Sequence, residues 1–300
     1  MLWIINGLIY GFFMALYTIV NQKRHLNGYV LGVWRGFGIA LLFLPFLLYI
    51  PLPANLNSWE LLLAQGILIG IYDSHIFFAS ARYGAILTSR LLVLSVLLTL
   101  AVWWILTPQR FDSLIKQPEL FMTLLLCISG FCLCYWFMMK SKVSRQALIY
   151  MAPAIMALAA MSILTKEIAL MGGVAVWNNI IYYLVFSTLV SGIYNLICLL
   201  ITSKTTVSLY KMLFAPNVIK TGIYIVGFSC ALITAKTLAM RLAPNPAYVV
   251  TLLLTAPIFA QLLNDDGHKF DHNNDRAGFS MIFFLILLMI VTAGGFGITD

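Results

Sequence analysis

The sequence predicts an all-α integral membrane protein, with about ten transmembrane helices arranged as two five-helix halves. Of its 300 residues, 62% are hydrophobic and only 9% are charged, whereas soluble domains carry about 25% charged residues. The mean hydropathy is +0.97. A helix needs about 20 apolar residues to cross a hydrocarbon core of about 30 Å. Ten helices of that length leave only short loops and no room for a soluble domain.

Ten apolar stretches, numbered here span 1 to span 10, follow one another along the chain. They cover residues 2–20, 28–50, 59–81, 86–106, 119–139, 147–171, 175–202, 218–240, 247–263 and 278–297. Proline and glycine, which end helices, lie between them at Pro51, Pro53, Pro108, Pro118, Gly172, Gly173, Pro216, Pro244 and Pro246. The strands of a membrane barrel are excluded, because they are about ten residues long and alternate apolar with polar side chains.

The charges of the chain fit a membrane surface better than a nucleic acid. The net charge is +8, and most of the cations lie between apolar spans, where anionic lipid headgroups are the expected partner. The five cysteines all lie within spans and are expected to pack rather than to form disulfides or bind metal. The N-terminus lacks the basic segment and cleavage site of a signal peptide, so span 1 is expected to be retained.

The two halves of the sequence resemble each other in the same order. The matching segments are Met14–Lys23 with Leu158–Glu167, Val33–Gly36 with Val176–Asn179, Ala81–Ala85 with Met240–Pro244, and Ser95 with Thr255. These matches predict two repeats, residues 1–145 and 146–300. Because five spans is an odd number, the second repeat must be inverted in the membrane. Inverted repeats are typical of secondary transporters, which bind substrate between the halves near the bilayer midplane.

With these features the chain resembles the EamA-type permeases of the drug/metabolite transporter superfamily. The resemblance is carried by the span count, the duplication, Arg35 after Trp34, the short connection Ala81–Gly84 and the step Thr255–Pro257. It implies a ten-helix permease with both termini in the cytoplasm. Leu97 stands where the family often has proline, and span 1 has no carboxylate to reproduce the proton-antiport glutamate of the small multidrug-resistance relatives.

The basic residues predict the opposite orientation. Twelve of the 18 Lys and Arg residues lie near the connections that follow odd-numbered spans, and five lie near those that follow even-numbered spans. The positive-inside rule then places both termini outside the cell. The sequence leaves the two orientations open.

Asp73 in span 3 is the strongest candidate for a functional residue. A charge inside a bilayer is costly, so such residues usually face the interior of the bundle. The helical face of Asp73 also carries Gly66, Gly70, Phe77 and Ser80, and small residues on one face mark close packing or a cavity wall. Two interpretations stand side by side: Asp73 exchanges a proton during transport, or it forms a structural pair with an arginine of a neighbouring helix.

Three basic residues within spans are further candidates. Arg35 is expected to pair with Asp73, to bind an anionic substrate or to extend to the headgroups. Arg90, early in span 4, has the same alternatives. Lys236 in span 8 corresponds to Phe77 of span 3 in the repeat, and is expected either to face the same cavity from the other half or to extend to the membrane surface.

His75, Asn178 and Tyr17 complete the predicted substrate or proton pathway. A single histidine on an apolar face is more often packed or interfacial than functional, and asparagine or tyrosine more often joins helices than binds substrate. The polar loop 264–275 carries four Asp and two His, but it does not match a calcium loop and is interpreted as a solvated connector. No nucleotide-binding or hydrolase motif occurs, so we expect no cofactor, no metal and no enzymatic activity.

The sequence therefore predicts a secondary-active permease for a small polar or amphipathic metabolite, working by alternating access with proton coupling through Asp73 as a hypothesis. The alternatives are a lipid or headgroup flippase, a lipid-modifying membrane enzyme and a non-transporting scaffold subunit. A bacterial cytoplasmic membrane is the default location, and the sequence is compatible with a homodimer. The expected partners are a small-molecule substrate and the lipid bilayer, with no nucleic acid.

Overall fold

The computed structural model describes residues 2–109, 116–138, 142–171, 175–202, 206–253 and 255–263, and a few residues between 280 and 290. Within these ranges all regular secondary structure is helical. Eight helices are long and apolar enough to cross a membrane, and Phe121–Phe137 is a shorter apolar helix. The chain is therefore a multi-pass helical membrane protein. Most of span 10 and the whole polar loop 264–275 lie outside the described residues.

The observed helices extend most of the predicted spans. Spans 1 to 3 are Leu2–Arg24, Gly28–Tyr49 and Leu56–Tyr83, with the end of span 2, Leu44–Tyr49, wound as a 3₁₀ helix. Spans 4 to 6 are Ala85–Leu106, Pro118–Met138 and Lys142–Leu170. Spans 7 to 9 are Val176–Thr202, Pro216–Leu242 and Pro246–Leu263, and a short helix, Thr206–Phe214, precedes span 8.

Local capping residues explain where several of the spans begin. The side chain of Asn27 accepts a hydrogen bond from the backbone N–H of Tyr29 at the start of span 2. At the start of span 9, the side chain of Asn245 accepts one from the backbone N–H of Ala247. Pro216 begins span 8, where a missing N–H costs nothing. Gly84 alone joins spans 3 and 4, and its φ of 86° is a conformation that a residue with a Cβ rarely adopts.

Spans 4 and 9 are interrupted in the same way. Each is split into two helices, at Val93 and at Leu253, where the backbone forms hydrogen bonds to the carbonyl three residues earlier. Two residues after each break, the hydroxyls of Ser95 and Thr255 donate to the carbonyl three residues before them, at 2.6 and 2.7 Å. A hydroxyl that takes a carbonyl from the helix ladder loosens the helix. Because only span 9 has a proline nearby, Pro257, the hydroxyl is the feature that the two breaks share.

Spans 2 and 7 cross in opposite directions at the centre of the bundle. Gly32 lies against Asn195, and Gly36 lies against Gly192 one turn further along. A Cβ added to Gly36 would fall 2.4 Å from the Cα of Gly192, so the two backbones are in direct contact. Small residues permit this approach in membranes, where helices associate through close packing rather than through the hydrophobic effect.

Spans 2 and 8 run in the same direction, because Trp34 lies against Gly222 and Gly38 lies against Val226. The most extensive helix contacts join span 1 to span 8, span 3 to span 6 and span 2 to span 7. These six spans enclose the centre of the bundle. Large apolar side chains such as Ile149 and Ile201 point outward and are more than three quarters exposed, as expected for a surface that faces lipid.

Candidate functional site

A buried ion pair lies where spans 1, 2, 3 and 8 meet. The carboxylate of Asp73 is fully buried. Its Oδ1 accepts a hydrogen bond of 2.8 Å from the hydroxyl of Tyr17, and its Oδ2 pairs with Nη1 of Arg35. Of the two interpretations of Asp73, the pairing with a neighbouring arginine is therefore present. Both carboxylate oxygens are occupied by donors, which compensates for their removal from water.

Arg35 connects this pair to the second half of the chain. Its Nε donates to the hydroxyl of Ser229 in span 8 at 3.0 Å, and its guanidinium lies 5.7 Å from the centre of the Tyr17 ring. The guanidinium is planar and always charged, so it can hold the carboxylate and the hydroxyl at the same time. Three helices of the first half and one of the second are thereby joined through a single side chain.

Lys236 lies beside this group, and among the described residues its Nζ contacts an aromatic ring but no hydrogen-bond acceptor. Its side chain is 2% exposed, and its Nζ lies 5.8 Å from the centre of the Tyr10 ring. Nζ has no hydrogen-bond acceptor among the described residues, and Arg35 is near enough to repel it electrostatically. An ammonium group without an acceptor is costly to bury. Among the described residues, this group therefore holds one more cation than anion if Arg35, Asp73 and Lys236 are all charged.

A second polar cluster lies next to the ion pair and contains no charged group. Nε2 of Gln65 in span 3 donates to Thr165 of span 6 at 3.1 Å and to the hydroxyl of Tyr183 in span 7 at 2.7 Å. Tyr183 begins a π-helical turn, Tyr183–Ser187, and is close enough to interact electrostatically with Arg35. Such turns occur often at functional sites. The Oε1 of Gln65 is buried without a donor among the described residues.

The sequence analysis overlooked Gln65, Thr165 and Tyr183, because each is an ordinary uncharged residue in an apolar span. A polar side chain in the apolar first half of span 3, directly before Gly66, was the available signal for Gln65. The π turn that begins at Tyr183 inserts an extra residue into span 7, so a regular helical period does not relate Tyr183 to the residues later in the span.

Lys166, in contrast, has the contacts of a structural residue. The charge count placed it near the connection that follows span 6, but its side chain is only 7% exposed. Its Nζ donates to the carbonyls of Met240 and Ala243 at the end of span 8, at 2.8 and 2.5 Å. Nearby, Nη1 of Arg241 donates to the carbonyl of Ala169 at 2.7 Å. These cations satisfy carbonyls that have no partner within their own helix.

Of the seven predicted site residues, the structure brings Asp73, Arg35, Tyr17 and Lys236 together. His75 is half-buried, with its Nδ1 2.7 Å from the carbonyl oxygen of Ile71 and its ring 5.5 Å from that of Tyr150. Asn178 is half-buried at the start of span 7, and Arg90 is buried in the first helix of span 4. The contacts found for His75 are with its own helix and with Tyr150 of span 6, away from the ion pair.

No family model matches this chain, and no curated protein is significantly similar to it. Among the residues that the structure describes, no three His, Cys, Asp or Glu side chains come together in a way that could hold a metal ion.

Proposed function

We propose that this protein is a secondary-active transporter that moves a small polar or amphipathic metabolite by alternating access. The observation that carries the proposal is the ion pair of Arg35 and Asp73, buried with Tyr17 and Ser229 among lipid-facing helices. Ionisable groups in this position are expensive and usually mark a substrate or ion pathway. The chain carries no nucleotide-binding motif for a pump.

The repeat that alternating access requires is supported by the interrupted spans. In both spans a hydroxyl residue lies two positions after the break: Ser95 follows Val93, and Thr255 follows Leu253. The two hydroxyls make equivalent hydrogen bonds. Two five-span repeats would make span 4 the counterpart of span 9. A shared irregularity of the backbone is a more specific similarity than apolar composition, which any two membrane helices have in common.

The packing of the spans supports the same repeat. If spans 1 to 5 correspond to spans 6 to 10, the contact of span 1 with span 8 corresponds to the contact of span 6 with span 3. These are the two most extensive helix contacts in the bundle. Span 2 runs antiparallel to its counterpart, span 7, as an inverted repeat requires.

The ion pair suggests how the two halves are coupled. Arg35 holds Asp73 within the first half and Ser229 in the second half, so it spans the surface along which the halves would move. A proton that neutralises Asp73 weakens its attraction for Arg35. The guanidinium is then free to exchange the carboxylate for another acceptor while span 8 moves. Proton coupling through Asp73 is part of this proposal.

Transport by the purified protein in proteoliposomes tests the proposal. Uptake of metabolites from a panel of amino acids, organic acids, sugars and nucleosides is measured with and without an imposed pH gradient. Asp73→Asn is expected to abolish the pH-driven component while the protein still inserts. Glu60→Gln is the matched control, because Glu60 is an exposed carboxylate of the same span. Unchanged pH dependence in Asp73→Asn contradicts proton coupling at this site, and no uptake of any compound contradicts transport.

A lipid flippase is a second candidate because of an apolar groove on the outer side of span 2. The groove has a volume of about 290 Å³ and is lined by Val33, Trp34, Phe37, Gly38, Leu41, Leu213 and Phe214. Its apolar lining would hold part of an acyl chain at the lipid-facing side of the bundle. Movement of fluorescent phospholipids between leaflets of the same proteoliposomes, in place of metabolite uptake, would favour this candidate.

A further inference from the structure

We infer that Lys236 is an anion-binding group and that the transported substrate is a small anion carrying a carboxylate or phosphate. That this anion is a transported substrate rests on the proposed function. The anion site itself rests only on the burial and contacts of Lys236. The ammonium group is almost completely buried in span 8 and has no acceptor among the described residues.

The other charged groups around Lys236 leave an anion as the missing partner. The charge of Arg35 is balanced by Asp73, which accepts from both Arg35 and Tyr17. When Lys236 is protonated, no described residue supplies an acceptor for its charge, and Arg35 is close enough to repel it. An oxyanion would accept charge-assisted hydrogen bonds from Nζ, which are about twice as strong as neutral ones. A cationic substrate would add a third positive charge to the same buried space.

The position of Lys236 connects anion binding to movement of the halves. Lys236 follows Ser229 by seven residues on span 8, so the two side chains lie on the same face of that helix. Ser229 accepts from Arg35 of span 2, and Nζ of Lys236 lies over the ring of Tyr10 in span 1. An anion bound at Lys236 therefore lies between the first half and the second, beside the ion pair.

Ligand-induced stabilisation of the detergent-purified protein tests the inference. Melting temperatures are measured with sodium L-lactate, sodium acetate, glycerol 3-phosphate, inorganic phosphate and, as the cationic arm, choline chloride. A compound that binds only the folded state raises the apparent melting temperature by mass action. We expect at least one carboxylate or phosphate to stabilise the wild type, and Lys236→Met to lower its apparent affinity at least tenfold. The carboxylate and phosphate arms separate the two sources of the oxyanion.

Lys166→Met is the matched control, since it removes a buried lysine that already has backbone acceptors. It is expected to lower the melting temperature without changing the response to the anion. Lys236→Met is expected to leave the melting temperature of the ligand-free protein unchanged or higher. Lys236→Arg, which keeps the charge, is expected to retain part of the anion response and serves as the test if Lys236→Met does not fold.

The inference is overturned if no anion of the panel stabilises the wild type, if Lys236→Met responds like the wild type, or if choline alone stabilises the protein. Flux measurements separate this inference from the transport proposal. Binding of an anion that depends on Lys236, with no flux in proteoliposomes, supports the site and overturns transport. Flux of a neutral or cationic compound that is unchanged in Lys236→Met supports transport and overturns the anion site.

Discussion

Lys166 and Lys236 are two buried lysines of the same half of the chain, and their surroundings differ completely. The ammonium group of Lys166 donates to two carbonyls at the end of span 8. The ammonium group of Lys236 has only the face of Tyr10 and a neighbouring arginine, with no acceptor in the described part of the chain. Burial alone therefore does not identify a functional charge in a membrane protein. The decisive property is whether the protein itself supplies the partner.

Disruption of the ion pair of Arg35 and Asp73 is expected to have the largest effect on the unfolding free energy. In this pair each buried charge has the other as its partner. Arg35→Met leaves the carboxylate of Asp73 buried without its counterion and is expected to cost about 3–5 kcal/mol of unfolding free energy. The double variant Arg35→Met with Asp73→Asn removes both charges and should recover much of that loss. Unfolding by denaturing detergent in mixed micelles measures both. A double variant as unstable as the single one would show that charge pairing is not the main contribution of Arg35.

The two lysines give the next largest difference. Lys166→Met leaves helix-end carbonyls without their donor and is expected to lower the unfolding free energy by about 1–3 kcal/mol. Lys236→Met replaces an unpaired ammonium by an apolar side chain of similar length, so its unfolding free energy should equal or exceed that of the wild type. The same detergent titration measures both variants. If the two lose stability equally, Lys236 has a structural partner and the comparison between them fails.

These predictions also show what the sequence could and could not provide. Hydropathy located the spans, because each had to be apolar over the thickness of a bilayer, and the cost of a charge in lipid singled out Asp73 and Lys236. Helical periodicity gives the face on which a side chain lies, but not the helix that faces it. For that reason the sequence left Arg35 with three alternatives and counted Lys166 near the connection after span 6. In the structure Arg35 pairs with a carboxylate, and Lys166 donates to two backbone carbonyls.

The cluster around Gln65 contains an interhelical hydrogen bond between uncharged side chains, and its contribution to stability can be measured. Thr165→Val keeps the volume of the side chain and removes the hydroxyl that accepts from Gln65. Bonds of this kind in membranes contribute about 1 kcal/mol, which is less than the loss expected for Arg35→Met and at the lower end of that expected for Lys166→Met. Thr202→Val is the control, because its hydroxyl is exposed and bonds only within its own helix. A loss above that of Lys166→Met would show that a neutral hydrogen bond between spans 3 and 6 stabilises the bundle more than the lysine that joins spans 6 and 8.

The last prediction concerns the orientation of the chain in the membrane. It has the smallest expected effect on stability, because the loop charges that determine orientation contribute little to the unfolding free energy. Arg90, Lys166 and Lys236 are buried and do not act as loop charges. Without Arg90, eleven cations lie near the connections that follow odd-numbered spans, and without Lys166 and Lys236, three lie near those that follow even-numbered spans. The larger ratio strengthens the prediction that both termini lie outside. In a cysteine-free background, Leu52→Cys should then react with an impermeant maleimide on intact cells. Tyr210→Cys, on the opposite side of the bundle, should react only after permeabilisation. The reverse pattern would place the termini in the cytoplasm, as the resemblance to EamA-type permeases implies, and would show that the cations near odd-numbered connections do not set the topology.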